Sequence, residues 1–169
     1  MRWHTVRAGD KVLTMALRRW DRFARLERSR RSLLLEAACW LLLARLILLL
    51  LPFRRIAARL GRMLPPSNPD NPSRGAERLD EEAELARNIG WAVSRAAANV
   101  PFRAVCLPQA IAARIMLERR GIESVLRLGT ALPDRDHPRL RAHAWLDAAG
   151  QKITGHPVAA EFIEVARFV

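Results

Sequence analysis

Residues 100–110 read VPFRAVCLPQA, and the segment they open continues as LPQAIAARIMLERRG (107–121). Cys106 stands between a proline-bearing approach and the first helical turn. Pro108 suits that position, because proline is tolerated in the first turn of a helix and not deeper. Gly121 follows the periodic residues where helices commonly end, and arginines fill the last turn, so the spacing predicts a helix from about Leu107 to Arg120. A thiol attacks only as thiolate, and the unsatisfied N–H groups and aligned dipoles of a helix N-terminus favour the anion. Cys106 is therefore placed where a nucleophile belongs. The competing reading is a small buried hydrophobe beside a turn. The other cysteine, Cys39, lies in the middle of a leucine-rich helix, where desolvation would keep its thiol protonated and inert.

Downstream, IESVLRLGTAL (122–132) reads as a strand, PDRDHPR (133–139) as a polar loop, and RAHAWLDAAGQKIT (141–154) as a hairpin turning at Ala149 and Gly150. The C-terminal half is thus helix, strand, strand, strand. A nucleophilic cysteine wants a base within hydrogen-bond reach, usually histidine. Of His4, His137, His143 and His156, His4 lies in a terminus and His137 in a proline loop that hardly fixes a ring. His143 opens an alternating strand that holds its side chain on one face, with Ala144 and Leu146 on the other. On residue types alone, a catalytic pair and an incidental histidine near a buried cysteine are both open.

Upstream, residues 12–31 repeat apolar positions at helical spacing among arginines, as in a basic amphipathic helix. Ser32 suits the cap of the next segment, Leu33–Leu51, which runs apolar until Pro52. Its 19 residues approach a bilayer span, but Glu36 and Arg45 interrupt them. About a dozen Leu and Ile at roughly −0.5 kcal/mol each nearly cancel against two charges at roughly +3 kcal/mol or less, so insertion energy decides nothing. A helix covered by its neighbours, with Arg45 paired, competes with membrane contact. Residues 53–64, FRRIAARLGRML, continue as a short basic amphipathic helix that suits an anionic membrane surface. Residues 65–75, rich in Pro, Asn and Ser, form a linker or exposed loop. Residues 76–99 resume helical periodicity, with Leu79, Ala83, Ala86, Ile89 and Val93 on one face. The organisation is a helical region over 1–64, the linker over 65–75 and a core over 76–169.

The totals agree with one modest core, since the chain has 169 residues and half are apolar. The net charge of +12 is uneven: residues 1–62 hold 15 Lys and Arg against 4 Asp and Glu, and the remainder holds 14 against 13. Only Lys11 and Lys152 are lysines, and no RNA motif or recognition helix accompanies the arginines, so nucleic acid is not an expected partner. The two cysteines suggest neither a disulfide framework nor a zinc site, and a reducing, cytoplasmic setting fits them. The opening residues lack the apolar core of a secretory signal. No metal, cofactor or phosphate-binding glycine loop is expected.

The Cys106 segment, the helix ending LERRG, the strand LRLG and the RAHAWLD strand with its glycine turn together resemble the transglutaminase-like cysteine protease fold. In particular they resemble the leader-peptidase B proteins of lasso peptide biosynthesis, whose arginine- and leucine-rich N-terminal region is similar to LPFRRIAARLGR (51–62). The resemblance implies an α+β core, transglutaminase-like or papain-like, in which a helix carrying cysteine packs on a small antiparallel sheet behind an N-terminal helical region. It implies cleavage of a ribosomally made precursor peptide between leader and core, with Cys106 as nucleophile and His143 as base. Expected partners are the precursor peptide, a separate leader-recognition protein and an ATP-dependent lasso cyclase, with peripheral membrane contact through the basic helices.

One expected part is missing. The family's third member is an aspartate about a dozen residues after the histidine, and here that position is Thr154 or Gly155. Asp147 is on the same face as His143 but about 13 Å along the strand. With a two-residue turn, Gln151 pairs with Ala148 and His156 falls opposite His143. Thr154, His156 or a backbone carbonyl remains to orient the ring. A catalytically weak or inactive scaffold that binds precursor, partners or membrane is one alternative. Acyl transfer to an amine, as in transglutaminases, is another.

Overall fold

A computed structural model of the chain describes residues 27–57, 63–64, 76–133 and 138–169. The expected helix over 12–31 lies mostly outside the described residues, as do the linker 65–75, His4 and His137. The chain divides into two compact units, Met1–Ser32 and Leu33–Val169. All the described strands belong to the second.

Helix α1 spans Arg28–Leu50. Ser32 does not cap it, because its hydroxyl donates backward to the Ser29 carbonyl at 2.7 Å and the helix runs through it. Ala37, Leu41 and Ala44, spaced by four and three, form its buried stripe. Cys39 falls outside that stripe and is exposed, so the expectation of a desolvated thiol is corrected. Glu36 is the charge that is paired: Arg120 donates to both its oxygens at 3.1 and 2.6 Å. That contact ties α1 to the end of the cysteine helix, and the bonded guanidinium holds the Glu36 carboxyl below its ordinary range. Arg45, expected to be paired, has no ion pair among the described residues.

Helix α2 (Phe53–Ala57) is shorter than the expected 53–64. Met63–Leu64 leave the helical path to form strand β1, pairing with the last strand. Helix α3 (Ala76–Ala97) buries Ala83, Ala86, Ile89 and Val93, as its periodicity predicts. Helix α4 (Cys106–Glu118) begins at the cysteine itself. It ends with Gly121 at φ +69°, whose N–H bonds Glu118 O while that of Ile122 reaches Leu117 O, the paired bonds that close a helix on a left-handed residue. Arg114, 6% exposed in mid-helix, donates to Glu118 and to the Phe168 carbonyl, clamping α4 to the sheet.

Strands β2 (Ser124–Ala131), β3 (Arg141–Ala148), β4 (Gln151–Thr154) and β5 (Ile163–Phe168) complete an antiparallel sheet of order β1-β5-β2-β3-β4. Its helix-facing side carries Leu126, Leu128, Ala144, Leu146, Ala166 and Phe168, packed with α1, α3 and α4 in one core. Fully burying Ile89, Met116, Leu117, Leu126 or Leu146 contributes about 1.5–3 kcal/mol each. Strand β5 is absent from the sequence-based order of elements, and it lies between β1 and β2.

Candidate active site

Cys106 is the first residue of α4, half-buried and packed against the core. The residue before it, Val105, is extended (φ −75°, ψ −172°) and makes no side-chain capping bond. Serine, threonine or aspartate there would satisfy a free N–H of the first turn; valine leaves those donors to whatever anion lies at the helix end. The approach is held by Gln109, whose side-chain amide donates to Ala104 O at 2.6 Å.

The connection through Gly121 turns the chain back, so α4 and β2 run in opposite directions and pack together. Twelve helical steps carry α4 about 18 Å, and five strand steps from Ser124 to Gly129 cover about 17 Å. By these lengths alone Cys106 would stand roughly level with Gly129, and Gly129 pairs with His143. By alternation, however, His143, Trp145 and Asp147 project from the face opposite Ala144 and Leu146. Strand β4 stops at Thr154, opposite Leu146, so beyond it the irregular chain from Gly155 onward lies along β3 beside His143.

The His143 ring is held on several sides. It lies 6.0 Å from Trp145, nearly stacked, and 5.1 Å from the tilted Phe162, between ring centroids. Its Nε2 is 2.7 Å from the Gly155 carbonyl. A carbonyl only accepts, so Nε2 carries the hydrogen and, in the neutral ring, Nδ1 carries the free lone pair. The Cys106 thiol is not among the ring's hydrogen-bonding partners within the described residues.

The position near Gly155, where a carboxylate was expected, is set by one extra residue. Gln151 pairs with Ala148 as expected, but a bulge between Leu146 and Asp147 sets Thr154 against Leu146. The expected pairing of His156 with His143 is thereby shifted. Thr154 is 3% exposed and shares the helix-facing side with Leu146, away from His143. His156 turns to Asp147, its Nε2 2.9 Å from Oδ1. Arg127 Nε lies 3.2 Å from the other Asp147 oxygen, and its NH1 donates to Glu164 at 3.0 Å. Asp147 is thus engaged by His156 and Arg127, and the backbone of Gly155 meets the catalytic candidate. Gly155 has φ +76°, and a Cβ there would run into the Ala144 carbonyl and come within 2.9 Å of Trp145 Cα. Only glycine fits this close turn. No group of three His, Cys, Asp or Glu side chains able to hold a metal ion occurs among the described residues.

The profile of the transglutaminase-like superfamily matches residues 47–167, from the end of α1 through β5. The chain belongs to the transglutaminase-like superfamily. No curated protein and no solved structure matches it significantly. Cysteine-based chemistry is usual in this superfamily, which includes peptidases and acyltransferases. The match takes in the helix that opens with Cys106, the β3 strand of His143 and the glycine turn after β4. The α+β architecture of a transglutaminase-like domain, a cysteine-bearing helix on a small antiparallel sheet, is the one present. Phe162, whose ring lies beside His143, was not legible as a site residue, whereas Gly155 is one of the two positions named for the missing partner and a backbone carbonyl is among the open candidates. The only signal for Gly155 is its distance of a dozen positions from the histidine.

Proposed function

We propose that this transglutaminase-like protein is a cysteine peptidase that removes the leader from a ribosomally made lasso precursor peptide. What supports it most is an uncapped helix N-terminus opening on Cys106, together with a His143 ring whose Nε2 is taken by the Gly155 carbonyl so that Nδ1 is left as the base. In the proposed step Nδ1 takes the thiol proton and sulfur bonds to the scissile carbonyl carbon. The oxyanion is met by N–H groups of the first turn of α4. The leaving amine then takes the proton from His143, and water cleaves the thioester with the same ring as base. The lasso assignment rests on the likeness of VPFRAVCLPQA, RAHAWLD and LPFRRIAARLGR to the B proteins. A separate leader-recognition protein would deliver the precursor, and an ATP-dependent cyclase would consume the freed core.

Two observations favour a second reading, a weak or silent scaffold that binds the precursor. The ring leaves the sheet on the face opposite α4, and a neutral carbonyl stabilises imidazolium less than a carboxylate does. The Cys106→Ala variant separates the readings. Combined with precursor and partner proteins, it should lose leader removal completely by mass spectrometry, while cleavage at the native rate would reject the peptidase. Products enlarged by an amine, in place of a shortened peptide, would assign acyl transfer to an amine.

A further inference from the structure

The outer face of α1 takes no part in the site. Leu35, Leu42, Leu46 and Leu49 are 58, 48, 44 and 64% exposed, and Cys39 is exposed between the first two. Together they repeat at intervals of four and three residues, one continuous apolar stripe along a helix. The opposite stripe, Ala37, Leu41 and Ala44, is fully buried against the protein's own core.

We propose that this face docks on an anionic lipid bilayer, with α1 lying in the plane of the surface. Charge selects the occupant. Between residues 33 and 57 the only acidic side chain is Glu36, and Arg120 engages it. The remaining charges are Arg45, half-buried beside the stripe, and Arg54 and Arg55, exposed just beyond its end. An apolar strip edged only by arginines complements lipid phosphates, with the leucines entering the acyl boundary and guanidinium groups staying at the headgroups. A second copy is disfavoured, since pairing two such stripes brings arginine against arginine with no carboxylate between them. Crossing the bilayer is disfavoured too, although α1 is long and apolar enough. It would strip Ala37, Leu41 and Ala44 from the core and leave Glu36 without Arg120. Lying flat keeps those contacts and covers only what is exposed.

Flotation of the full chain with phosphatidylethanolamine–phosphatidylglycerol vesicles tests the proposal, with pure phosphatidylcholine vesicles as comparison. The bound fraction should be at least tenfold higher on the anionic vesicles and should fall as salt is raised. Leu46→Glu with Leu49→Glu should reduce binding at least tenfold, with the thermal unfolding midpoint unchanged. A second measurement needs no change to the leucines. In a Cys106→Ser chain, a polarity-sensitive dye on Cys39 should shift to blue emission when anionic vesicles are added. No binding, equal binding by the double variant, or binding without a dye shift would overturn the proposal, the last placing attachment on other arginines. So would a lipid-free dimer that shifts the dye and dissociates in the double variant.

Discussion

At Gly155 a backbone atom occupies the place where a side-chain carboxylate was expected. A carbonyl fixes the His143 ring as well as a carboxylate does, since either accepts from Nε2–H, but it lacks the charge that stabilises imidazolium. Orientation and electrostatic support, usually supplied by one residue, are here uncoupled. The neutral ring should therefore be the Nε2–H tautomer, which long-range nitrogen–proton NMR of His143 reads directly; a dominant Nδ1–H form would contradict the bond to Gly155. Gly155→Ala should disturb this arrangement, because its Cβ meets the Ala144 carbonyl and its φ is positive. The expected results are a loss of about 1–3 kcal/mol in chemical denaturation and mixed tautomers in the same spectra. Asp147 shows what residue-level reading can and cannot do. Its distance along the strand excludes it from His143, yet its hydrogen bond with His156 and its ion pair with Arg127 depend on a register that spacing does not reveal.

Among the elements, helices α3 and α4 and the β3–β4 hairpin were legible because each carries an uninterrupted period and a recognisable end. The hairpin turn places Ala149 at φ +47° and Gly150 at φ +71°, a pair of left-handed residues that suits asparagine–glycine. Ala149→Asn should stabilise the domain by about 0.5–1 kcal/mol in urea unfolding, because alanine is strained at positive φ. The bulge after this turn was not legible, since the four residues of QKIT carry no sign of one unpaired position and the turn alone sets only the first pairs. Strand β5 was missed for a different reason. Its outward residues Ile163 and Val165 are apolar, whereas Arg167, deep on the face away from the helices, is fully buried beside Glu164, so burial inverts the hydropathy pattern. Strand β1 has two residues, too few for any period. Cys39 was misread because the leucines of α1 surround the helix, and only packing selects which stripe goes inward.

In the whole molecule, the Glu36–Arg120 pair joins the apolar helix to the domain carrying the candidate site. Glu36 has a lowered pKa when folded, chiefly through its hydrogen bonds from Arg120, so its contribution is fully present above the unfolded value near 4.5. It is lost as pH falls through the lower folded value. Glu36→Gln should thus flatten the acid limb of a stability–pH curve between about 4.5 and that lower value; an unchanged limb would remove the pair from the stability account. The order of the strands also sets a timetable. Strand β5 sits between β1 and β2, and its Phe168 faces Met63 from roughly a hundred residues later in the chain. A ribosome releases both neighbours of that gap long before it makes the strand that fills it. Until residue 168 has emerged, β1 and the inner edge of β2 are open, and a nascent chain in that interval depends on chaperones or on speed to avoid pairing with the wrong strand.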